Sequence, residues 1–254
     1  MSKVTIRSLL ALITPAVLAL LLGACGSDTA GVNPETLPPE SRPPSIEESD
    51  LYKVSGSTLY VQNPSSGLNI IDIANPAKPR LVGRAATGTS AGAEMYIRES
   101  SAIVLLKKAS NSCAVPLNME PMGMSYGSEL VFVDLSSRTH PRVVEKYCVP
   151  GELVASRTVG HVLYLVTTQS GQGSRAISID LSAPTQAQVL QSMQFPNASK
   201  EIQVTHDAIF VAAEISNSSP AATDVSYISI DGSGTMKMRG SIEVAGRPQG
   251  RFHM

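Results

Sequence analysis

The chain reads as an all-β protein, and three observations predict this. Apolar runs of four to eight residues, bounded by Gly, Pro, Asn and Ser, recur from Leu51 onward, which is the pattern of half-buried and buried strands. No segment after residue 25 carries a sustained 3.6-residue apolar period. The stretch Leu51–Arg84 holds four short β-prone runs separated by turn residues, and the chain then repeats that plan about three more times.

The first strands of the four units are predicted at Leu51–Val54, Glu94–Arg98, Glu152–Thr158 and Glu201–Thr205. The second strands are Thr58–Val61, Ala102–Leu106, Val162–Val166 and Ala208–Ala212, each ending on or near a branched or small apolar residue. The third strands are Asn69–Asp72, Leu130–Asp134, Ala176–Asp180 and Tyr227–Asp231, and all four end at an aspartate. These aspartates recur at spacings of 62, 46 and 51 residues, a period typical of radially repeated sheets. The fourth strands are Arg80–Ala85, Arg142–Tyr147, Gln188–Met193 and Met238–Val244. In the first unit Asp72 caps the turn with its side chain, while Pro76 and Pro79 fix φ and end the pairing.

One four-stranded sheet cannot bury both of its faces, so neighbours must stack. The predicted fold is therefore a β-propeller of four-stranded antiparallel blades, with units at about 51–86, 91–148, 151–194 and 200–245 and a fifth beginning at 246–254. About four blades plus one strand read as an incomplete ring. Three outcomes stay open: a truncated reading frame or fragment, a ring closed by a second chain, or a self-sufficient small propeller.

The 254 residues are 43% hydrophobic with no Trp and 4% aromatic residues, so the core must be built from Val, Ile, Leu and Ala. Removal of residues 1–24 takes away Lys3 and Arg7 and no acid, leaving 18 basic against 21 acidic residues. That balance argues against a nucleic-acid surface.

Residues 1–24 read as an export signal. Lys3 and Arg7 supply the positive start, and Leu9–Leu22 is apolar but short for a membrane span. The segment ends in Leu22-Gly23-Ala24-Cys25, which resembles the bacterial lipobox. The resemblance implies cleavage before Cys25, acylation of that residue, and a membrane partner reached through the lipid. An ordinary secretory signal and an uncleaved anchor are the alternatives. Gly26 and Ser27 in place of an Asp imply outer-membrane sorting, by similarity to enterobacterial rules. Residues 25–50 are rich in Pro, Ser, Gly and Glu and read as a disordered, lipid-anchored linker.

The segment Ile46–Ile73 resembles the opening of a bacterial family of secreted β-propeller proteins distantly similar to WD40 repeats. In that family an acidic pair precedes a D-x-x-K-x-x-G-x-x-x-Y core, matched here by Glu48, Asp50, Lys53, Gly56 and Tyr60. Val244–Met254 resembles the family's G-R-x-x-x-x-F-x-M strand, which opens a later blade. The resemblance implies the propeller fold and no catalytic residues. The family pattern continues with Asp-Glu and further blades, whereas this sequence stops at Met254.

Several residues invite chemistry. With Cys25 assigned to lipid, Cys113 and Cys148 remain, and an exported compartment permits a disulfide that pins the insertion Lys107–Gly127. Two unpaired thiols are the other reading. Met119, Met122 and Met124 offer thioethers suited to Cu(I), although adaptable packing is the commoner use of such residues. Gly88-Thr89-Ser90-Ala91-Gly92 matches the G-x-S-x-G nucleophile elbow, but that motif needs a helix after it and strand is expected at Ala93–Arg98. His140, His161, His206 and His253 lie outside metal-ligand spacing of one another, and His161 and His206 fall at turn positions. The recurrence of Asp72, Asp134, Asp180 and Asp231 favours a structural role over acid–base chemistry.

No catalytic, cofactor-binding or metal-ligating residue is assigned. The expected protein is a non-enzymatic cell-envelope lipoprotein whose propeller binds a protein or a surface polymer through rim loops, the Lys107–Gly127 insertion above all. An envelope hydrolase using Ser90, a copper-handling protein, and a remnant of a longer propeller protein are the alternatives.

Overall fold

Eighteen strands and no helix occupy the described residues of the computed structural model, which are 46–107, 115–116, 126–169, 171–183, 187–195, 198–215 and 220–247. Blade 1 runs β2 (Tyr52–Ser55), β3 (Thr58–Asn63), β4 (Gly67–Asp72) and β5 (Arg80–Ala85). Blade 2 runs β6 (Gly92–Arg98), β7 (Ser101–Lys107), β9 (Tyr126–Asp134) and β10 (Arg142–Pro150). Blade 3 runs β11 (Glu152–Val159), β12 (Val162–Gln169), β13 (Gly173–Asp180) and β14 (Gln188–Phe195). Blade 4 runs β15 (Ala198–Val204), β16 (Ala208–Glu214), β17 (Ala222–Ile230) and β18 (Met236–Ala245). Each is an antiparallel meander, as the repeat predicts.

Two strands were not expected. β1 (Ile46–Glu48) pairs antiparallel with β11, setting Ile46 opposite Val159 and Glu48 opposite Arg157. Asp50 then bridges Met95 on β6. Residues 46–50, which composition assigns to the linker, thus pair with one end of the free edge of β11 and touch that of β6 by a single bridge. An unpaired edge leaves a row of N–H and C=O groups open, and any adjacent extended segment can satisfy it. β8 (Val115–Pro116) lies parallel to β10, with Pro116 opposite Cys148.

Four aspartates end the third strands or follow them directly, and all act alike. Asp72 Oδ1 accepts from the Ala74 N–H at 2.9 Å, and Asp134 accepts from Ser136 at 2.9 Å. Asp180 accepts from Ser182 at 2.8 Å, and Asp231 from Ser233 at 3.0 Å. The short side chain folds back on its own backbone and starts the turn into the fourth strand. In blades 1 and 2 the second carboxylate oxygen also meets an arginine: Arg80 at 3.2 Å from Asp72, and Arg142 at 3.0 Å from Asp134.

Three apolar clusters join the blades in sequence. Tyr60, Leu68 and Ile70 of blade 1 pack on Met95, Val104 and Val131 of blade 2. Leu105, Leu130 and Phe132 of blade 2 pack on Leu163, Leu165 and Ile177 of blade 3. Tyr164 and Val166 of blade 3 pack on Ile202, Ile209 and Ile228 of blade 4. Each fully buried Leu, Ile or Phe contributes roughly 1.5–3 kcal/mol, so these interfaces hold the stack together.

Polar clamps fix the spacing. Gln191 of β14 accepts from the Met236 N–H at 2.6 Å and donates to the Met236 carbonyl at 2.8 Å, tying blade 3 to blade 4. Between blades 1 and 2 the approach is closer still. A Cβ added at Gly83 would lie 2.0 Å from the Arg138 carbonyl oxygen, so only glycine fits there.

Candidate functional site

The first strands of blades 2, 3 and 4 converge on one polar cleft of about 280 Å³. Its walls include Asp50, Glu94, Lys107, Arg157 and Glu201, drawn from the N-terminal segment and from β6, β7, β11 and β15. First strands meeting at one hollow place their edges on the inner side of the blade array. The cleft is therefore axial.

Behind its wall, Glu94 and Lys107 join a largely buried polar network. Glu94 sits on β6 among apolar neighbours and is 7% exposed. Its Oε1 meets Lys107 Nζ at 2.9 Å, and its Oε2 accepts from the Ser156 hydroxyl of β11. Ser156 Oγ lies 2.8 Å from the Tyr96 hydroxyl, and Lys107 Nζ also donates to the Val154 carbonyl at 3.1 Å. Arg157 Nη1 donates to the Ser156 carbonyl at 2.5 Å. Burial first, and then the neighbouring Glu94 carboxylate, push the Tyr96 phenol well above its ordinary pKa. It therefore stays a neutral hydroxyl across the physiological range.

Charge-assisted bonds hold Glu94 and Lys107 in one geometry, while Arg157, Glu201 and Asp50 add charges of both signs to the walls. Such a surface suits a polar ligand carrying donors and acceptors together. Lys107, the first residue of the Lys107–Gly127 insertion, is part of the cleft wall.

Ser90 behaves as a turn residue. Its Oγ donates to the Gly92 carbonyl at 2.8 Å, and the chain continues into strand β6, not into a helix. The GTSAG crossover is tied at both ends, by Lys146 Nζ donating to the Thr87 carbonyl at 2.6 Å and by the Ala91 N–H donating to the Lys107 carbonyl at 3.0 Å. His140 meets the neighbouring Thr139 hydroxyl at 2.9 Å, and the exposed His206 lies in the turn between β15 and β16. His161 occupies the turn between β11 and β12. Among the described residues no group of three or more His, Cys, Asp or Glu is placed to hold a metal ion.

Cys148 is 3% exposed on β10. Cys25, Cys113, Met119, Met122, Met124 and His253 lie outside the described residues. Of the family-like motif, Gly56 adopts φ +57° in the β2–β3 turn, Tyr60 is buried, and Lys53 Nζ lies 3.2 Å from Glu47.

The Glu94–Lys107–Ser156–Tyr96 cluster was not found from sequence, because Ser156 lies about sixty residues from its partners. The one local cue is a lone acid inside the apolar run Ala93–Ile97.

Radially arranged four-stranded blades with an axial polar cleft define a propeller protein. The family model described as "Beta propeller domain" matches residues 43–178, more than half of the chain, and the chain belongs to that family. No curated protein matches the chain.

Proposed function

We propose that the chain is a bacterial cell-envelope lipoprotein whose propeller is a non-catalytic binding or scaffold module. Acylation at Cys25 would anchor it to the membrane, on the outer membrane by the sorting residues that follow. The observation that carries the binding reading is the axial cleft, where held charges of both signs adjoin the base of the Lys107–Gly127 insertion. Its partner is a protein or a surface polymer with polar groups of both kinds.

The anchoring is tested by labelling cells with an alkyne fatty acid. Incorporation that disappears in Cys25→Ser supports it, and equal labelling of both refutes it. For binding, the wild-type chain is compared with a variant lacking residues 108–125 for capture of envelope proteins and of isolated surface polysaccharide. Capture lost on deletion, with unchanged circular dichroism, supports the reading. Intact capture by the deletion sinks it. Labelling of Ser90 by a fluorophosphonate, or tight Cu(I) binding lost on replacing Met119, Met122 and Met124, would instead favour the hydrolase or the copper-handling protein.

A further inference from the structure

The face of blade 3 turned to blade 2 is apolar along most of its length and polar at one level. Leu163 and Leu165 of β12 and Ile177 and Ile179 of β13 carry the apolar part, in the cluster shared with blade 2. Side chains alternate along a strand, so Thr167, Gln169 and Arg175 continue that same face. Thr167 stands directly opposite Arg175, and Arg175 stands opposite Gln194 of the outer strand β14. Gln169, opposite Gly173, is the diagonal neighbour of Arg175.

This polar level leaves its strongest donor unpaired. Arg175 is 2% exposed, yet its Nε and Nη2 have no hydrogen-bond partner among the described residues. The Thr167 hydroxyl and Gln169 Oε1 are likewise buried without a partner there. Nearby polar groups are engaged elsewhere. Ser128 Oγ donates to the Gly151 carbonyl at 3.1 Å and accepts from the Leu153 N–H at 2.8 Å. Gln194 Nε2 donates to the Gln172 carbonyl at 3.2 Å. Burial alone moves the Arg175 pKa below its ordinary value, with no neighbouring acid among the described residues to oppose it. A buried charge destabilises a fold unless something pairs with it.

The open atoms define what that partner is. Nε–H and Nη2–H lie along one edge of the planar guanidinium, and two parallel donors on one edge match the two oxygens of a carboxylate. The Thr167 hydroxyl adds a third donor, and the Gln169 amide can turn either its oxygen or its NH2 to the same guest. The way in is past β14, where Ser192 and Gln194, on the same face, are exposed. We propose that this level of blade 3 binds a small carboxylic acid, held bidentately by Arg175. The ligand carboxylate supplies the counter-charge that the sheet face lacks. None of these residues lines the axial cleft, so the site is independent of any partner bound there.

The test follows thermal unfolding of the purified full-length chain, in detergent where lipid is attached, with sodium acetate exchanged for sodium chloride at constant ionic strength. Above the dissociation constant, each tenfold rise in acetate should raise the wild-type Tm by roughly 3–6 °C. Arg175→Met keeps a long side chain and removes the charge. It should lose the acetate response and, in chloride alone, unfold at a higher temperature than the wild type, because an unpaired buried charge is gone. Arg175→Lys keeps the charge without the fork and should lose most of the response. The carboxyl signal of 13C-labelled acetate should broaden saturably with the wild type and not with Arg175→Met. A wild type that does not respond, an equal response in Arg175→Met, or a full response in Arg175→Lys overturns the proposal. So does Arg175→Met unfolding below the wild type in chloride, since the guanidinium would then have its partner within the chain.

Discussion

Ser156→Ala is the sharpest probe of the axial network. The Ser156 hydroxyl links the Glu94 carboxylate to the Tyr96 hydroxyl, and Ser156 is fully buried. Removing it deletes one hydrogen bond to a charged group, about 1.5–3 kcal/mol. It also takes a partner from the buried Tyr96 hydroxyl, for which an unsatisfied group costs about 1–3 kcal/mol. Ser49 also reaches that phenol, so the lower end applies. The sum is about 3 kcal/mol, which for a domain of this size lowers Tm by roughly 6–12 °C. Tyr96→Phe alone leaves Ser156 bonded to Glu94 and costs about 1 kcal/mol. In the double variant no hydroxyl is orphaned, so the two effects fall short of additive by about 1 kcal/mol. The assay is urea unfolding followed by circular dichroism for the four members of the cycle. A Ser156→Ala change below about 0.5 kcal/mol, the level of ordinary surface substitutions, or strict additivity with Tyr96→Phe, would refute the network.

Three further outcomes follow. Turn bonds hold the carboxyls of Asp72, Asp134, Asp180 and Asp231 below the usual range, Asp134 at about 2 with help from Arg142. A carboxyl depressed on folding adds stability above its unfolded pKa and loses it as pH falls through the folded value. Stability should therefore decline from about pH 4 toward pH 2, and replacing all four by Asn should flatten that slope in acid titrations. An unchanged slope would count against the assignment. Gly83→Ala drives a Cβ into the Arg138 carbonyl and should cost roughly 2–3 kcal/mol in chemical unfolding. Gly56→Ala, at φ +57° with nothing within 4 Å, should cost only about 1 kcal/mol, and equal losses would refute the close approach. Finally, alkylation of the unfolded, unreduced chain should leave Cys113 and Cys148 unmodified, and reduction should lower stability by about 3 kcal/mol. Modification of both without reductant would rule the disulfide out.

Much of the blade plan was legible in the chain. Period-2 alternation and turn chemistry act over a few residues, so the strands ending near Asp72, Asp134 and Asp180 fall where the pattern places them. The four aspartates read as structural residues, Asp72 as a turn cap, and all four act as turn formers. Ile46–Glu48 escaped this reading because a three-residue strand has no period to detect, and its partner β11 lies more than a hundred residues away. The Lys107–Gly127 insertion is visible only as an unusually long gap in the repeat.

By itself, then, the sequence determined the all-β class, the four units, the turn-forming aspartates and the apolar alternation that lets blades stack. Local sterics and the burial of one sheet face dictate all of these. Only the tertiary structure decided which edges meet. It brought Glu94, Lys107 and Ser156 into one largely buried network, and it set residues 46–50 against the edges of two blades. It also left Tyr52 and Val54 exposed at one end of the stack, with Tyr227 and Ile242 exposed at the other. These outcomes depend on how successive twisted sheets are oriented, a long-range quantity that no local pattern of residues encodes.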